Sequence, residues 1–291
     1  MKSPLDVYSD LSEQLHYNFP DLRIYFQKGY LSHYGYAATC HWHPDLEFIF
    51  VLDGSMDFYI NGEIVRLNSN CGVFVNSNRL HYGFSSMKKE CIFIEVVIHP
   101  VLLHQNIPVV KSYYEGRFSP KTNDFIVIKP DIQWQKDMIH LMKNIQREMN
   151  SEKKNLLNLL AYAVSMGAQI SENLKENKES FDSSFMNQNT FKMVDFIHRN
   201  YVDNISIEDI ASSGGVCRSK CCKLFNKVIG QTPNSYLKCY RISKSCQLLI
   251  ETSRSISEIA ENCGFQSSSY FIAVFKKEMG VSPQKYRKQI S

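Results

Sequence analysis

Short apolar segments separated by turn-forming residues run from about residue 22 to residue 98. Six of these segments have the length and the β-branched or aromatic content of strands, and they are LRIYFQ (22–27), LEFIFVL (46–52), MDFYI (56–60), EIVRL (63–67), GVFV (72–75) and CIFIEVVI (91–98). Asn61-Gly62 lies between the third and the fourth, and this dipeptide is a strong signal for a two-residue hairpin turn. Closely spaced strands of this kind predict an all-β barrel or jelly roll, a fold that can enclose a small molecule.

After Pro130 the spacing of the apolar residues becomes helical. One predicted helix carries its apolar residues on one face, namely Ile132, Met138, Leu141, Met142, Ile145 and Met149. A second predicted helix does the same with Leu156, Leu159, Leu160, Ala163 and Val164. Two amphipathic helices need a surface to cover, so either both pack on the barrel or one of them forms an interface between subunits.

Polar residues dominate the stretch KENKESFDSSFMNQNT (175–190), which has too few apolar residues to hold a fixed structure of its own. We therefore predict an interdomain linker at 175–189. It separates a β unit at 1–130 and a helical packing or dimerisation segment at 131–174 from a helical domain at 190–291. A length of 291 residues also favours two domains over one. The predicted fold class is two-domain α+β.

The last hundred residues contain an internal repeat, which is found by comparing the chain with itself at offsets of 49 and 50 positions. At the first offset, five residues match five others: Ser206, Ile207, Ile210, Ala211 and Gly215 match Ser255, Ile256, Ile259, Ala260 and Gly264. At the second offset, six more match: Phe225, Lys227, Gly230, Pro233, Tyr236 and Lys238 match Phe275, Lys277, Gly280, Pro283, Tyr286 and Lys288. Eleven matches in the same order indicate a duplicated unit.

Each copy of the unit predicts a helix-turn-helix. A short helix leads into a tight turn at Gly215 or Gly264, where glycine is free to adopt a positive φ. The second helices are predicted at 218–228 and 268–279. A connecting helix at 233–250 would be about 27 Å long, and successive major-groove faces of B-DNA lie about 34 Å apart. One connecting helix can therefore hold two recognition helices in adjacent grooves.

Charge is distributed unevenly along the chain. The net charge is +4, but residues 190–291 hold 15 Lys and Arg against 8 Asp and Glu, for a net charge of +7. The preceding residues have a net charge of −3. A basic helical domain suits a polyanion such as DNA. The alternative is a module for protein interaction, and the duplication, the glycine turns and the charge together argue against it.

The helical domain resembles the DNA-binding domain of the AraC/XylS transcription regulators from about Phe191 to Lys288. The most specific part of the resemblance is the segment SISEIAENCGFQSSSYFIAVFKKEMGVSPQKYRK (255–288). This resemblance implies a tandem helix-turn-helix that binds double-stranded DNA, a homodimer, a small-molecule effector and contact with RNA polymerase. In such a regulator, the effector changes how the two DNA-binding units are placed across the dimer.

The resemblance also implies which side chains face the DNA. On the first recognition helix they are Arg218, Ser219, Lys220, Cys222 and Lys223, and on the second they are Ser267, Ser268, Ser269, Ile272, Ala273 and Lys276. Arg218 can form two hydrogen bonds with guanine O6 and N7, whereas small side chains can approach thymine methyl groups. Two positions depart from the family pattern, because Cys217 replaces the usual Ser or Thr cap and Ala273 stands where many members carry a basic residue.

The β unit resembles the cupin superfamily, whose fold is a small β-barrel. The first cupin motif is matched in spacing by Gly35, His41, His43, Glu47 and Gly54. The second motif is degraded, because its glycine, proline and glycine are replaced by Asn70, Asn76 and Asn78. His81 nevertheless stands at the place of the histidine in that motif. We therefore expect His41, His43, Glu47 and His81 to converge inside the barrel.

Two uses of these four residues remain open. They can line an effector pocket with no required cofactor, or they can bind Fe, Mn, Ni or Zn, since imidazoles and a carboxylate suit such divalent metals. Trp42 and nearby tyrosines could stack on a sugar or on an aromatic ligand, and a carbohydrate is the leading effector class. The expected function is a ligand-responsive transcription regulator without enzymatic activity. The alternative is a metal-dependent cupin enzyme with a helical tail that tethers it to DNA.

Composition and cysteine usage fit this interpretation. Hydrophobic residues make up 44% of the chain and charged residues 21%, as in ordinary globular proteins. The longest uncharged stretch, 155–171, is shorter than the roughly 20 residues that span a bilayer, so it predicts a buried helix. The N-terminus lacks the apolar region of a secretory signal, which favours the cytoplasm.

The nine cysteines predict reduced core residues, with a redox or metal site at Cys217 and Cys221 as the alternative.

Overall fold

A computed structural model describes residues 5–8, 10–105, 107–176 and 188–290. The first half contains seven antiparallel strands: β1 (Ile24–Tyr30), β2 (Leu46–Ile60), β3 (Glu63–Asn68), β4 (Gly72–Val75), β5 (His81–Phe84), β6 (Cys91–Ile98) and β7 (Phe125–Ile128). Their order in the sheet is β1-β6-β2-β4-β7, and β3 and β5 also pair with β2. The predicted β unit of cupin type is confirmed. The Asn61-Gly62 hairpin is confirmed as well, since Ile60 pairs with Glu63.

The longest strand corrects the sequence-based expectation. The segments LEFIFVL and MDFYI are not two strands but the two halves of β2, which is 15 residues long. A register shift between Val51 and Asp53 bends this strand. Its first half pairs with β4 and β6, whereas its second half pairs with β3 and β5. The polar residues at the bend look like a turn in the sequence, but they lie within one continuous strand.

Helices cover one face of the barrel. After the short α1 (Val101–His104) and α2 (Pro108–Arg117), which the apolar pattern did not predict, come α3 (Gln133–Asn150) and α4 (Leu156–Asn173). Buried residues of α3 and α4 share one hydrophobic cluster with the barrel: Met138, Met142, Leu159, Ala163 and Met166 join Phe48, Phe74 and Val96. Leu156 and Val164 were expected on the inner face and are instead exposed, at 47% and 37%. The helix 156–173 is therefore buried along one face only.

The helical domain contains two helix-turn-helix units. The helices are α5 (Gln188–Asn200), α6 (Ile207–Ser213), α7 (Arg218–Val228), α8 (Pro233–Glu251), α9 (Ile256–Asn262), α10 (Ser268–Met279) and α11 (Pro283–Ile290). The bounds predicted for α7 and α10 are confirmed, and α8 ends one residue later than predicted. Most of the predicted linker, residues 177–187, lies outside the described residues, and α5 begins two residues before position 190.

The repeat also appears in how its helices begin and turn. Ser206 and Ser255 occupy equivalent positions, and each closes a capping box with the residue three positions later. The predicted positive φ is confirmed at Gly215 (63°) and Gly264 (73°). The Ser267 side chain accepts a hydrogen bond from the backbone N–H of Tyr270, whereas Cys217 makes no side-chain cap. The two units therefore share their geometry and differ in how their recognition helices are capped.

All nine cysteines are free thiols. Cys40, Cys91, Cys221, Cys246 and Cys263 are buried, as expected for core residues. Cys217 is exposed whereas Cys221 is buried, and burial raises the pKa of the Cys221 thiol to about 11, which disfavours the reactive thiolate. Within the part of the chain that the structure describes, no helix is both long and apolar enough to cross a bilayer.

Candidate nucleic-acid interface and effector pocket

The outer faces of α7 and α10 carry the side chains that the sequence assigned to DNA. Nine of them are exposed: Arg218, Ser219, Lys220, Lys223, Ser267, Ser269, Ile272, Ala273 and Lys276. Cys222 and Ser268 are half-buried. On the opposite faces Phe225, Phe271 and Phe275 are fully buried, and Leu224 is half-buried. Aromatic side chains thus seat both recognition helices in the domain, and the assigned residues face outward.

Two further side chains on this surface were not predicted. Tyr270 is 56% exposed at the start of α10, and its ring lies 6.3 Å from that of Phe265. Glu208 on α6 accepts a hydrogen bond from Nη1 of Arg218 at 2.8 Å. Tyr270 belongs to the quoted motif and could have been chosen, but aromatic residues in helices are more often core. The contact between Glu208 and Arg218 has no signature in the sequence.

Four buried side chains converge inside the barrel. The metal-binding atoms of His41, His43, Glu47 and His81 all lie within 4.8 Å of one another. His41 and His43 precede β2, Glu47 lies in β2, and His81 begins β5. The backbone joins the two sides of the cluster, because the N–H groups of His41 and His81 each donate to the other residue's carbonyl, at 3.2 and 2.9 Å. The structure therefore brings together all four residues that the cupin resemblance indicated.

The degraded second cupin motif keeps part of its backbone geometry. Asn70 and Asn78 have φ values of 63° and 58°, in the left-handed region that the glycines of the motif would occupy. Asparagine tolerates this region better than most residues. The side chain of Asn76 is buried and donates to the Asn123 carbonyl at 3.1 Å. The loops that carry His81 into the barrel thus persist despite the substitutions.

Hydrogen bonds fix how the imidazoles face the cluster. Nδ1 of His41 lies 2.8 Å from the Thr39 carbonyl, and Nδ1 of His81 lies 2.7 Å from the Arg79 carbonyl. A carbonyl can only accept, so Nδ1 carries the proton in both rings and Nε2 faces the cluster. Nε2 of His43 lies 3.2 Å from the Glu47 carboxylate. Nδ1 of His43 is buried without a hydrogen-bond partner among the described residues.

Electrostatics couple Glu47 to His81. Burial alone would raise the pKa of the Glu47 carboxyl, but the neighbouring His81 and His43 hold it well below its usual value. Burial alone would lower the pKa of His81, but the Glu47 carboxylate raises it. Burial and the nearby His81 lower the pKa of His41 well below its usual value. The cluster therefore holds a buried ion pair between Glu47 and His81 beside a neutral His41.

The donor set fits a divalent metal. Three imidazoles and one carboxylate are ligands that Zn, Fe, Mn and Ni accept. The Nδ1 hydrogen bonds of His41 and His81 are the outer-shell contacts that orient metal-binding histidines and leave Nε2 for the ion. Nδ1 of His43, which has no hydrogen-bond partner in the described part of the chain, also suits a site that binds an additional group.

A small, partly open cavity adjoins the cluster. His41, Glu47, His81 and Glu95 provide its polar lining, and Tyr34, Phe58 and Phe93 are among its aromatic residues. Trp42 does not line it. Alternation along the chain turns Trp42 away from His41 and His43, and its indole N–H donates to the Asp10 carbonyl at 2.9 Å. The aromatic lining of the cavity therefore comes from residues such as Tyr34 and Phe58 and not from Trp42.

The barrel also packs directly on the first helix-turn-helix. One hydrophobic cluster contains Tyr59, Leu80 and Tyr82 of the barrel together with Ile210 and Phe225 of the helical domain. The Tyr59 hydroxyl lies 3.0 and 2.9 Å from the carbonyls of Lys227 and Val228, at the end of α7. The barrel and the helical domain thus share a core at the carboxyl end of α7.

The second recognition helix is held at the equivalent place. Gly230 and Gly280 correspond in the repeat. A Cβ atom added to Gly230 would lie 2.8 Å from the Tyr82 hydroxyl, and Gly280 neighbours Tyr36 of the barrel. Lys88 of the barrel forms an ion pair with Glu278 of α10 at 3.0 Å, and Lys238 of α8 contacts the same carboxylate. The barrel therefore contacts the carboxyl ends of both recognition helices.

Comparison with known proteins agrees with this architecture. Residues 210–289 match the family model of a helix-turn-helix domain, and residues 32–97 match that of a cupin domain. An uncharacterized HTH-type transcriptional regulator of Bacillus subtilis (strain 168), YdeC, is 30% identical over 259 residues, which cover 86% of each chain. The melibiose operon regulatory protein of Escherichia coli (strain K12) is 25% identical over an alignment of 305 positions, which covers 99% of this chain and 91% of that protein.

Among solved structures, ToxT from Vibrio cholerae O395 aligns with 91% of this chain and 98% of its own, with a TM-score of 0.44 and 16% identity. The relatives named above are transcription regulators, in agreement with the DNA-binding rather than the enzymatic interpretation. The chain belongs to the AraC/XylS family of DNA-binding transcription regulators, and it joins a cupin domain to a tandem helix-turn-helix.

Proposed function

We propose that this chain is a sequence-specific regulator whose barrel binds a small molecule, with a carbohydrate as the effector class. In this proposal α7 and α10 enter adjacent major grooves. Arg218 reads bases from the start of the first recognition helix, because helix-turn-helix proteins contact bases chiefly from that end. Lys276 lies two turns into α10, where a long cation reaches the phosphate backbone more easily than the groove floor.

The observation that carries the sensing role is the position of Tyr82 on β5. Tyr82 lines the cavity together with its neighbours His81 and Gly83, and its hydroxyl packs against Gly230, just after α7. A ligand that displaces His81 must therefore also shift the contact that holds the first recognition helix. The first recognition helix then has two placements relative to the barrel, one before and one after this shift. A ligand that binds these placements with different affinities changes their populations, and therefore changes the affinity for DNA.

A carbohydrate suits the cavity chemically. Glu47 and Glu95 offer carboxylates that accept hydrogen bonds from hydroxyl groups, and Phe58 offers an aromatic face to the apolar side of a sugar ring. The melibiose operon regulatory protein, which aligns with 99% of this chain, is named for a sugar operon. Its name supports the choice of sugars as the first ligands to test.

A divalent cation, if bound, would be held by His41, His43, Glu47 and His81 and would supply a Lewis acid for ligand oxygen atoms. Metal analysis of protein purified without a histidine tag distinguishes coordination from simple lining of the pocket. A bound ion should be lost in the Glu47→Gln variant, because the amide carries no charge to balance the cation.

The sensing proposal is tested by thermal unfolding of the full chain with mono- and disaccharides, including melibiose. A sugar at about 100 times its dissociation constant should add about 2.7 kcal/mol to the unfolding free energy of the domain that binds it. The same sugar should change the affinity for a selected DNA duplex. Glu47→Gln should lose the thermal shift, whereas Glu63→Gln, on the exposed surface of β3, should keep it.

Tyr59→Phe tests the coupling, since it removes the hydrogen bonds to Lys227 and Val228 and leaves the cavity intact. It should keep the thermal shift and reduce the effect of the sugar on DNA affinity. If no sugar stabilises the protein, the carbohydrate class is wrong. If a sugar stabilises the protein without changing DNA affinity, the barrel is not a sensor for transcription.

We also propose that α4 forms the homodimer interface. The exposed positions Leu157, Ala161, Val164 and Ala168 repeat at spacings of 4, 3 and 4 and form one face of the helix. No charged residue lies between Leu156 and Ser171. A helix face without charges pairs naturally with the same face of a second copy across a two-fold axis.

Leu157→Glu should weaken the dimer at least about tenfold, which corresponds to about 1.4 kcal/mol, because it buries a charge in the proposed interface. Sedimentation velocity over a concentration series measures the change. Val109→Glu on α2 is a matched control, since Val109 is 75% exposed and Leu157 is 76% exposed. Equal sedimentation of both variants and the unmodified chain would exclude α4 as the interface.

A further inference from the structure

Each helix-turn-helix unit has a side-chain hydrogen bond between its first helix and the start of its recognition helix. In the first unit, Nη1 of Arg218 donates to the Glu208 carboxylate at 2.8 Å. In the second unit, the Ser268 hydroxyl donates to the Ser257 hydroxyl at 3.1 Å. Glu208 corresponds to Ser257 at the offset of 49, and Arg218 corresponds to Ser268 at the offset of 50. The duplication keeps the contact but replaces an ion pair with a pair of hydroxyls.

Glu208 is not the residue that caps α6. The capping box of α6 is closed by Ser206 and Asp209, so the helix start does not depend on Glu208. The side chains of Arg218 and Glu208 are 64% and 59% exposed. Exposed ion pairs contribute little to stability. A carboxylate beside the proposed base-reading arginine therefore calls for an explanation other than folding.

The position of Glu208 gives that explanation. The first helix of a helix-turn-helix crosses the DNA backbone, so a carboxylate at its start lies near phosphates, which repel it. On a site without guanine in reach, a phosphate bound by Arg218 instead would lie beside the Glu208 carboxylate, which repels it. On a site with guanine, the contact with Glu208 uses Nη1, and the Nε and Nη2 edge can still bind O6 and N7.

We propose that Glu208 is a specificity-determining residue, which penalises sites that lack the guanine read by Arg218. It acts by repulsion on incorrect DNA rather than by attraction to correct DNA. The inference rests on the proposed role of Arg218. The second unit, with hydroxyls at both positions, lacks this penalty, so discrimination of this kind should come from the half-site that α7 occupies.

The test uses the full chain with a duplex selected from a random library and with its scrambled counterpart. Glu208→Gln keeps the shape of the side chain and removes its charge. It should raise the affinity for scrambled DNA about three- to tenfold and change selected DNA less. On scrambled DNA the slope of log K against log salt should steepen by about 0.9, since Arg218 gains one phosphate. Unchanged thermal unfolding would show that the fold is intact.

Glu261→Gln is the control for net charge, because Glu261 is an exposed carboxylate on α9 of the second unit. If both variants raise the affinities for selected and for scrambled DNA equally, Glu208 affects DNA binding only through the net charge of the domain, and the inference is wrong. The double variant with Arg218→Ala separates the two proposals. Glu208→Gln should have no effect on specificity in that background, whereas an undiminished effect means that Glu208 acts independently. If Arg218→Ala alone leaves base preference unchanged, it is the proposed reading role of Arg218 that fails.

Discussion

Replacing Gly264 with alanine is expected to destabilise the second helix-turn-helix by about 3 to 5 kcal/mol, whereas the same change at the equivalent Gly215 costs about 1 kcal/mol. Both glycines have a positive φ, which disfavours alanine. At Gly264, however, the added Cβ atom would lie 2.4 Å from the Tyr201 carbonyl and 2.7 Å from the Val202 carbonyl. At Gly215 no neighbouring atom of the described residues lies within 4 Å of the new atom.

The neighbouring loop cannot move away cheaply. Arg241 of α8 donates to the Tyr201 carbonyl at 2.7 Å and to the Asp203 carbonyl at 2.8 Å, so both are fixed. Thermal unfolding of the two variants measures the difference. Hydrogen exchange should show that protection is lost in α9 and α10 for Gly264→Ala. Equal losses of stability at the two positions would mean that backbone conformation, and not the close approach, dominates.

Arg218→Ala is expected to cost about 1 to 3 kcal/mol of binding free energy on the selected DNA site and to relax the preference at one base pair. The loss follows from the two hydrogen bonds to guanine that Arg218 makes in the proposed complex. Lys276→Ala should weaken selected and scrambled duplexes alike, and should flatten the slope of log K against log salt by about 0.9. Salt titrations of both variants on both duplexes measure these effects.

The two variants serve as controls for each other, because both remove one exposed cation from a recognition helix. If Arg218→Ala lowers both affinities equally while Lys276→Ala changes base preference, the roles of the two side chains are reversed. If neither variant alters preference, bases are read by other residues, and the exposed Tyr270 and Ile272 become the next candidates.

The helical domain could be predicted closely because its signals are local and occur twice. The bounds of α7 and α10 are set by capping residues, turn glycines and helical spacing, and all of these signals lie within a few residues of the helix ends. The convergence of His81 with His41 depends instead on strand pairing across forty residues. This convergence could be expected only from the spacing of the cupin motifs, because the resemblance to cupins implies the strand pairing that brings the two histidines together.

Other features lie beyond a reading of the sequence alone. Strand β2 continues through Asp53 and Gly54 because neighbouring strands pair with both of its halves, and local propensity favours a turn there. The inner face of α4 is set by the barrel beneath it, so Val164 points outward although its apolar character is typical of core. The contacts of Tyr59 with Lys227 and Val228 join residues about 170 positions apart, and nothing near either residue indicates them.

The hydrophobic cluster that Tyr59 and Tyr82 share with Phe225 bears on how the protein can be engineered. The second helix-turn-helix has a separate cluster built around Phe271 and Phe275, but the first one completes its core with side chains of the barrel. Cutting the chain in the linker would therefore expose apolar surface on the first helix-turn-helix and not on the second. A chimera with a foreign N-terminal domain must supply two aromatic side chains at that surface, or the first helix-turn-helix will lose part of its core while the second keeps its own.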